Sequence, residues 1–426
     1  MKIRVIDNGL FVSFARMLAR QSKTVVDYYS PWQSSFPRSQ TLKIGEGFED
    51  LRRVNFPLED ADSVDLWVFL DLYHSDLQLF LESKGARVWG ARDGEELELY
   101  RWDFKQYLKQ LGLPVQPMEK VLGISALRDK LRKVEKKFIK TSFVRGDFET
   151  FKHETYQLTE PRLDELEHVL GAAKHGYEFI IEDEIPDAVE VGYDGFTVDG
   201  EFPSHAMMAY EVKDCGMIGV VLPQAKLSEP VRKINSALSH ALKRYRYRGF
   251  WSTEIRYTKD KKPFFNDPCC RLGTPSNELL QELFDGWPKV LWDGAEGKMT
   301  SPTPIAKFGC MAIVHSEWAV NDWQAVHFPR ELDRFVKLRF HTRIEGKDYV
   351  PPQVVGLPDL GTVVGTGDTL LAAIKQCKER AAQIKGYQLK VDLSSIDSAM
   401  EVIAKGEKMG IHFADNLPSA EAVRKV

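Results

Sequence analysis

The chain has 426 residues, 43% of them hydrophobic and 28% charged, with a formal net charge of -4. These values fit a globular protein with about two to four structural units, and they exclude bulk electrostatic attraction to nucleic acid or an anionic membrane. No stretch approaches the roughly 20 apolar residues that span a bilayer, and the apolar start of the chain is too interrupted for a signal peptide.

In chain order, residues 3–6, 24–28, 66–70 and 87–89 predict short buried strands. Residues 10–21 and 75–84 predict helices, from apolar positions three and four apart. That alternation implies βαβ units and a parallel sheet. A helix over 102–111 meets Gly112 and then Pro114, the expected stop chemistry, which sets a first boundary near residue 116. Beyond it, strands are expected at 137–140, 179–182, 189–198, 207–212, 250–257 and 263–267. Helices are expected near 124–134, 162–174 and 229–245. The Lys259-Asp260-Lys261 turn predicts an antiparallel hairpin. After residue 303 the pattern gives strands at 308–314, 335–340 and 362–364 and a helix over 369–384 capped by Asp368. The tail from 391 reads as a short helix and loose end.

The five cysteines, Cys215, Cys269, Cys270, Cys310 and Cys377, are odd in number and form no CxxC pair. This argues against a disulfide framework or zinc site and for a reducing, cytoplasmic setting. The ten histidines show no HxxxH spacing. The hairpin at 249–267 carries Glu254 and Asp267 on neighbouring strands, where side chains can share a face. Two such carboxylates call for a cation between them, and magnesium on nucleotide phosphates suits oxygen donors. Pattern alone favours solvated acidic residues at these positions, and it leaves a surface role open for Lys140 and Arg101.

The segment that begins at Asp267 adds to that reading. Asp267-Pro-Cys-Cys-Arg271-Leu-Gly273-Thr-Pro275 resembles the Glu-Phe-Asn-x-Arg-Phe-Gly-Asp-Pro-Glu signature of phosphoribosylamine–glycine ligases, members of the ATP-grasp superfamily. The resemblance implies magnesium on Glu254, Asp267 and the position of Cys269, with Arg271 beside the transferring phosphate. A thiol is a poor magnesium ligand, so that position is altered. The segment 94–114 resembles the helix that opens the ATP-grasp region, with Arg101 at its first nucleotide-binding cation. Lys137-Phe-Ile-Lys140 resembles the strand ending in the second. The segment 179–190 resembles the hinge edging the adenine, so Glu182, Glu184, Ile185 and Glu190 are implied cofactor contacts. Gly361-Thr-Val-Val-Gly365-Thr-Gly-Asp368 is similar to the closing strand and helix.

The implied architecture is α/β with α+β elements. It comprises a Rossmann-like pre-ATP-grasp domain at 1–116, a two-lobed ATP-grasp unit at 117–302, and a C-terminal α/β cap with its tail at 303–426. The implied activity is an ATP- and Mg²⁺-dependent carboxylate–amine ligation through an acyl phosphate, with Arg271 and Lys140 at the reacting phosphate. Small-molecule carboxylate and amine substrates are implied, glycine or another amino acid among the carboxylates.

Departures fall at the substrate end. The lid segment reads Thr141-Ser-Phe-Val-Arg145-Gly146, poor in glycine. The family's Gly-Gly-Arg-Glu-His motif is replaced by Asp7-Asn8-Gly9, and its substrate loop reads Lys213-Asp214-Cys215-Gly216. Lys213, Gly216 and Arg271 are the implied substrate contacts. True phosphoribosylamine–glycine ligation and a non-catalytic nucleotide-binding protein both remain open at this point. The basic, aromatic run at 243–248 reads as a helix end, where cations suit the dipole, rather than as a nucleic-acid contact.

Overall fold

Four-residue runs such as Ile3–Ile6 and Leu66–Phe69 are buried on both faces because each strand feeds two apolar layers. In this computed structural model, which describes residues 1–31, 44–142, 150–212, 215–352 and 358–426, the chain forms two contact units. One comprises Met1–Glu95, Glu190–Glu254 and Cys269–Val426, the other Glu96–Val189 and Ile255–Pro268. Both are discontinuous in sequence.

The first unit opens with β1 (Ile3–Ile6), β2 (Val26–Tyr29), β3 (Leu51–Arg53), β4 (Leu66–Phe69) and β5 (Val88–Trp89). They pair in the order β3-β2-β1-β4-β5, every pairing parallel, as the βαβ reading expects. Alternation splits β4 cleanly. Leu66 and Val68 join the core with Phe14 and Leu18 of the helix Val12–Ser22, while Trp67 and Phe69 pack with Leu81 of the helix Ser75–Ser83. Strand order reverses between β1 and β4, so the carboxyl ends of those strands form the switch point of the sheet.

The second unit begins with helices and a four-stranded antiparallel sheet. The helix Arg101–Gln110 stops at Gly112, whose φ of 71° admits the chain reversal. Strands β6 (Met118–Leu122), β7 (Lys137–Thr141), β8 (Thr150–His153) and β9 (Glu178–Asp183) follow in the order β6-β9-β7-β8. The helices Ile124–Leu131 and Tyr156–Leu170 bury Leu127, Leu131, Leu163 and Leu166 against Ile139, Phe179 and Ile181. The period of two then sends Lys140 and Glu182 to the opposite face.

Antiparallel strands dominate the rest. Strands β10 (Val189–Val198), β11 (His205–Val212), β12 (Gly216–Pro223), β13 (Arg248–Tyr257) and β14 (Pro263–Cys269) are followed by Phe308–Ser316, Val336–Leu338 and Asp359–Gly367. In the first unit the ladder runs β13-β10-β11-β12, then Phe308–Ser316, Asp359–Gly367 and Val336–Leu338. Strand β13 crosses the unit boundary after Glu254, and its far end turns into β14. Lys261 adopts a φ of 61° in that turn, closed by the Thr258 N–H donating to the Lys262 carbonyl at 3.2 Å.

Two expectations change. The helix Leu370–Ala381 is capped by Thr369, whose Oγ1 accepts from the Ala372 N–H at 3.2 Å, not by Asp368. The tail forms a 15-residue helix, Ser394–Lys408, because Ile396, Met400 and Ile403 recur on one face and bury. No helix among the described residues is long and apolar enough to cross a membrane.

Candidate functional site

In the second unit, antiparallel pairing of β7 with β9 sets Lys140 opposite Ile180 and Phe138 opposite Glu182. Lys140 and Glu182 are therefore diagonal neighbours on one face, and their charged atoms approach to 3.3 Å. Lys140 Nζ also reaches Asp267 Oδ2 at 2.6 Å and Asn266 Oδ1 at 3.3 Å, both supplied by β14. Glu182 Oε2 accepts from Gln116 Nε2 at 2.7 Å. Lys105, from the helix Arg101–Gln110, donates to the Phe265 carbonyl at 2.9 Å and lies 3.6 Å from Glu182 Oε1. Arg101, four residues earlier on the same helix, donates to Thr150 Oγ1 at 3.3 Å. Lys105, Lys140 and Glu182 are each no more than 3% exposed.

Burial drives the Lys105 ammonium below its usual pKa, although Glu182 opposes the shift. Burial acts the same way on Lys140, but Asp267 and Glu182 outweigh it and hold that ammonium above its usual range. Burial would raise Glu182 and Asp267. Lys105 and Lys140 keep Glu182 low, and Lys140 with Arg101 and Lys105 keeps Asp267 well below the carboxylate range. Three cations against two carboxylates leave this enclosed group with one net positive charge, an environment suited to a phosphate-bearing ligand.

The hinge residues Glu184 and Ile185 lie directly after β9, outside any regular element. Glu184 is exposed, 3.6 Å from Lys152 Nζ. Residues 143–149, with Arg145 and Gly146, lie outside the described residues, as does Lys213.

In the first unit, Glu254 of β13 gathers with Glu190 of β10 and Glu211 of β11, their carboxylate oxygens all within 4.8 Å of one another. The register that pairs Gly192 with Ala209 brings Glu190 and Glu211 face to face. Three half-buried carboxylates on adjacent strands form an oxygen donor set of the kind that suits magnesium. Beside them Asp194 is pushed up to about 6 by burial, opposed by hydrogen bonds from Ser276 and Ser252. Cys269 is half-buried, its Sγ 3.6 Å from the Arg271 carbonyl. Arg271 Nε lies 3.8 Å from Asp71 Oδ1, and Asn8 Nδ2 donates to the other oxygen of Asp71 at 3.1 Å. Gly216 opens β12, where it pairs with Val212 and Ala312 in the sheet ladder.

Of the residues singled out in the sequence, the structure thus brings together Lys140, Glu182 and Asp267, and separately Glu190 and Glu254. It adds Lys105, Gln116, Asn266 and Glu211. Lys105 carries the one available signal, a lysine on the apolar side of its helix, four residues after Arg101.

No protein-family model matches the sequence, and neither does any curated protein. Solved structures do match, at low identity. Phosphoribosylamine–glycine ligase from Thermotoga maritima is 15% identical with a TM-score of 0.65, over 92% of this chain and 99% of that one. The biotin carboxylase domain of 2-oxoglutarate carboxylase from Hydrogenobacter thermophilus, solved with MgADP and bicarbonate, is 11% identical. Its TM-score is 0.62, over 96% and 94% of the two chains. L-amino acid ligase from Bacillus licheniformis is 14% identical with a TM-score of 0.61, over 91% and 98%. A likeness that extends over nearly the whole of each chain identifies the fold of this protein as ATP-grasp.

Proposed function

We propose that the protein is an ATP-dependent carbon–nitrogen ligase that activates a carboxylate as an acyl phosphate and passes the acyl group to an amine. The observation that carries this reading is the enclosed row Lys105, Glu182, Lys140 and Asp267, which together with Arg101 bears a net positive charge, inside an ATP-grasp fold. Lys140 and Arg101 would neutralise nucleotide phosphates, and Arg271 the transferring phosphoryl group. The segment of Glu184 and Ile185 would edge the base. Bound magnesium would supply Lewis-acid charge at the phosphates; the donors proposed for it are Glu254 with its neighbours Glu190 and Glu211 in the first unit, and Asp267 in the second. The residues fit that ion, because the donors are hard oxygens and only Cys269 is not. No covalent enzyme nucleophile is needed.

The substrates would be small molecules, an amino acid such as glycine and an amine. A second reading, nucleotide binding without turnover, is favoured by one observation: Asp267 already spends an oxygen on Lys140. ADP release with amino acids crossed against amines separates the two. Turnover with any pair supports the ligase, whereas Mg²⁺-dependent ATP binding without ADP release across the panel supports the second reading.

A further inference from the structure

Lys105 lies on the helix of Arg101 but has no nucleotide contact assigned to it by the resemblance, yet its side chain is 2% exposed at one end of the charged row. Withdrawing an ammonium from water costs several kcal/mol, so a position that served packing alone would be cheaper filled by Leu or Met. Packing is in any case provided next door, where the Phe104 ring meets Phe265 edge-on at 5.3 Å and ties the helix to β14. What Lys105 adds is direction. It donates to the Phe265 carbonyl, two residues before Asp267, and stands 3.6 Å from Glu182 Oε1.

Glu182 is held on its other oxygen by Gln116 at 2.7 Å and Lys140 at 3.3 Å. Oε1 is fully enclosed and accepts no hydrogen bond among the described residues. A buried carboxylate oxygen left with spare acceptor capacity beside two lysines points to a donor brought by a ligand.

We propose that Lys105 is a positioning residue for the nucleotide: it fixes the Glu182 carboxylate, and with it the face that presents Lys140, so that Oε1 meets an N–H or O–H donor of the bound molecule. This rests on the ATP-binding reading of the same site. Lys105 does not touch the reacting atoms. It acts through Glu182, and the low pKa that burial gives its ammonium is consistent with so enclosed a place.

A double-mutant cycle on the full chain tests it, with ATP binding followed by calorimetry and the melting temperature recorded for every variant. Lys105→Met should weaken ATP about tenfold or more, the range seen when a supporting partner of a ligand-holding group is removed. Because Lys105 acts through Glu182, adding Glu182→Gln to Lys105→Met should cost little more than the weaker single variant. A merely structural lysine would lower the melting temperature and leave the two losses multiplicative. Unchanged affinity in Lys105→Met, or losses that multiply, overturns the proposal and leaves the ATP reading standing. Absence of ATP binding in the unaltered chain overturns both. Should Lys105→Met fail to fold, Lys105→Gln, which keeps a donor for the Phe265 carbonyl but no charge for Glu182, completes the same cycle.

Discussion

Lys140 Nζ sits 2.6 Å from Asp267 Oδ2, an ion pair between residues 127 apart in the chain and set 3% and 17% open to solvent. It joins the face of a strand in one sheet to the second arm of a hairpin, and it places the expected phosphate cation against an expected metal carboxylate. A ligand phosphate approaching Lys140 competes with Asp267 for the same ammonium.

Removing one partner of an enclosed pair strands the other. Asp267→Ala should destabilise the protein by roughly 3–5 kcal/mol in urea unfolding, and Lys140→Met by a similar amount, because Glu182 and Asp267 then face each other with less compensation. Asp267 is held below its usual range, so its contribution is present above the unfolded carboxylate pKa and is lost as the pH falls toward the folded one. Asp267→Asn should accordingly flatten the acid side of the stability profile. An unchanged profile would remove the pair from the account of stability.

Metal binding is expected to depend on oxygen donors rather than on Cys269. Glu254→Ala should weaken Mg²⁺-dependent ATP binding or abolish turnover, while Cys269→Ala should leave both nearly as they were and Cys269→Asn should improve them. Glu211→Gln tests the carboxylate trio directly. If that group takes a divalent cation, the rise in melting temperature on adding Mg²⁺ should shrink in this variant. A Cys269→Ala chain that loses magnesium dependence would reverse the assignment.

Much of this was legible in the sequence because it depends on periodicity. The apolar run of β4, and that of β1 broken only by Arg4, specify the parallel sheet, and alternation along β7 and β9 places Lys140 and Glu182 on one face. Lys105 was legible only as a lysine on the apolar side of its helix, since a buried lysine has the same letter as a solvated one and the sheet it meets decides which it is. Glu211 escaped because its partners lie on strands 21 and 43 residues away, and strand register is a property of the fold. The cap at Thr369 lost to Asp368 on residue type alone, and one residue of phase decided it.

That cap offers a compact check. Thr369→Ala removes the acceptor for the Ala372 N–H at the start of the helix Leu370–Ala381 and should cost about 1 kcal/mol, whereas Asp368→Ala should cost only a few tenths. Chemical denaturation of the two variants side by side decides between them. Equal losses would mean that Asp368 shares the cap.

Asp7 should make the protein less stable as the solution turns alkaline. Burial raises its carboxyl to about 7, against hydrogen bonds from Tyr28 and the Phe11 N–H. Its folded pKa therefore lies above the unfolded one, so the folded chain holds the proton longer. The stabilisation is complete below the unfolded value and is lost as the pH rises through about 7. Asp7→Asn keeps an acceptor for both partners and removes the titration. The melting temperature of this variant should change less between about pH 5 and about pH 8 than that of the unaltered chain.

The same end of the parallel sheet bears on the amine. Carboxyl ends of β1 and β4 meet at the switch point, where ligands of open α/β sheets are bound. Here those ends carry Asp7, Asn8 and Asp71, and Arg271, the described cation beside them, lies 3.8 Å from Asp71. A phosphate placed there would meet the Asp71 carboxylate, and the polar contacts of a phosphoribosyl grip would go unmade, which costs most of an affinity built on them. Phosphoribosylamine is therefore expected to be a poor substrate, and an amine that brings donors instead of a phosphate a better one. The decisive measurement is competition. Glycine and ATP are supplied with freshly made phosphoribosylamine beside unphosphorylated amines, and the products are separated by mass. Amides of the unphosphorylated amines should dominate. Efficient formation of glycinamide ribonucleotide would instead show that this carboxylate does not face the substrate, and would restore the phosphoribosylamine reading.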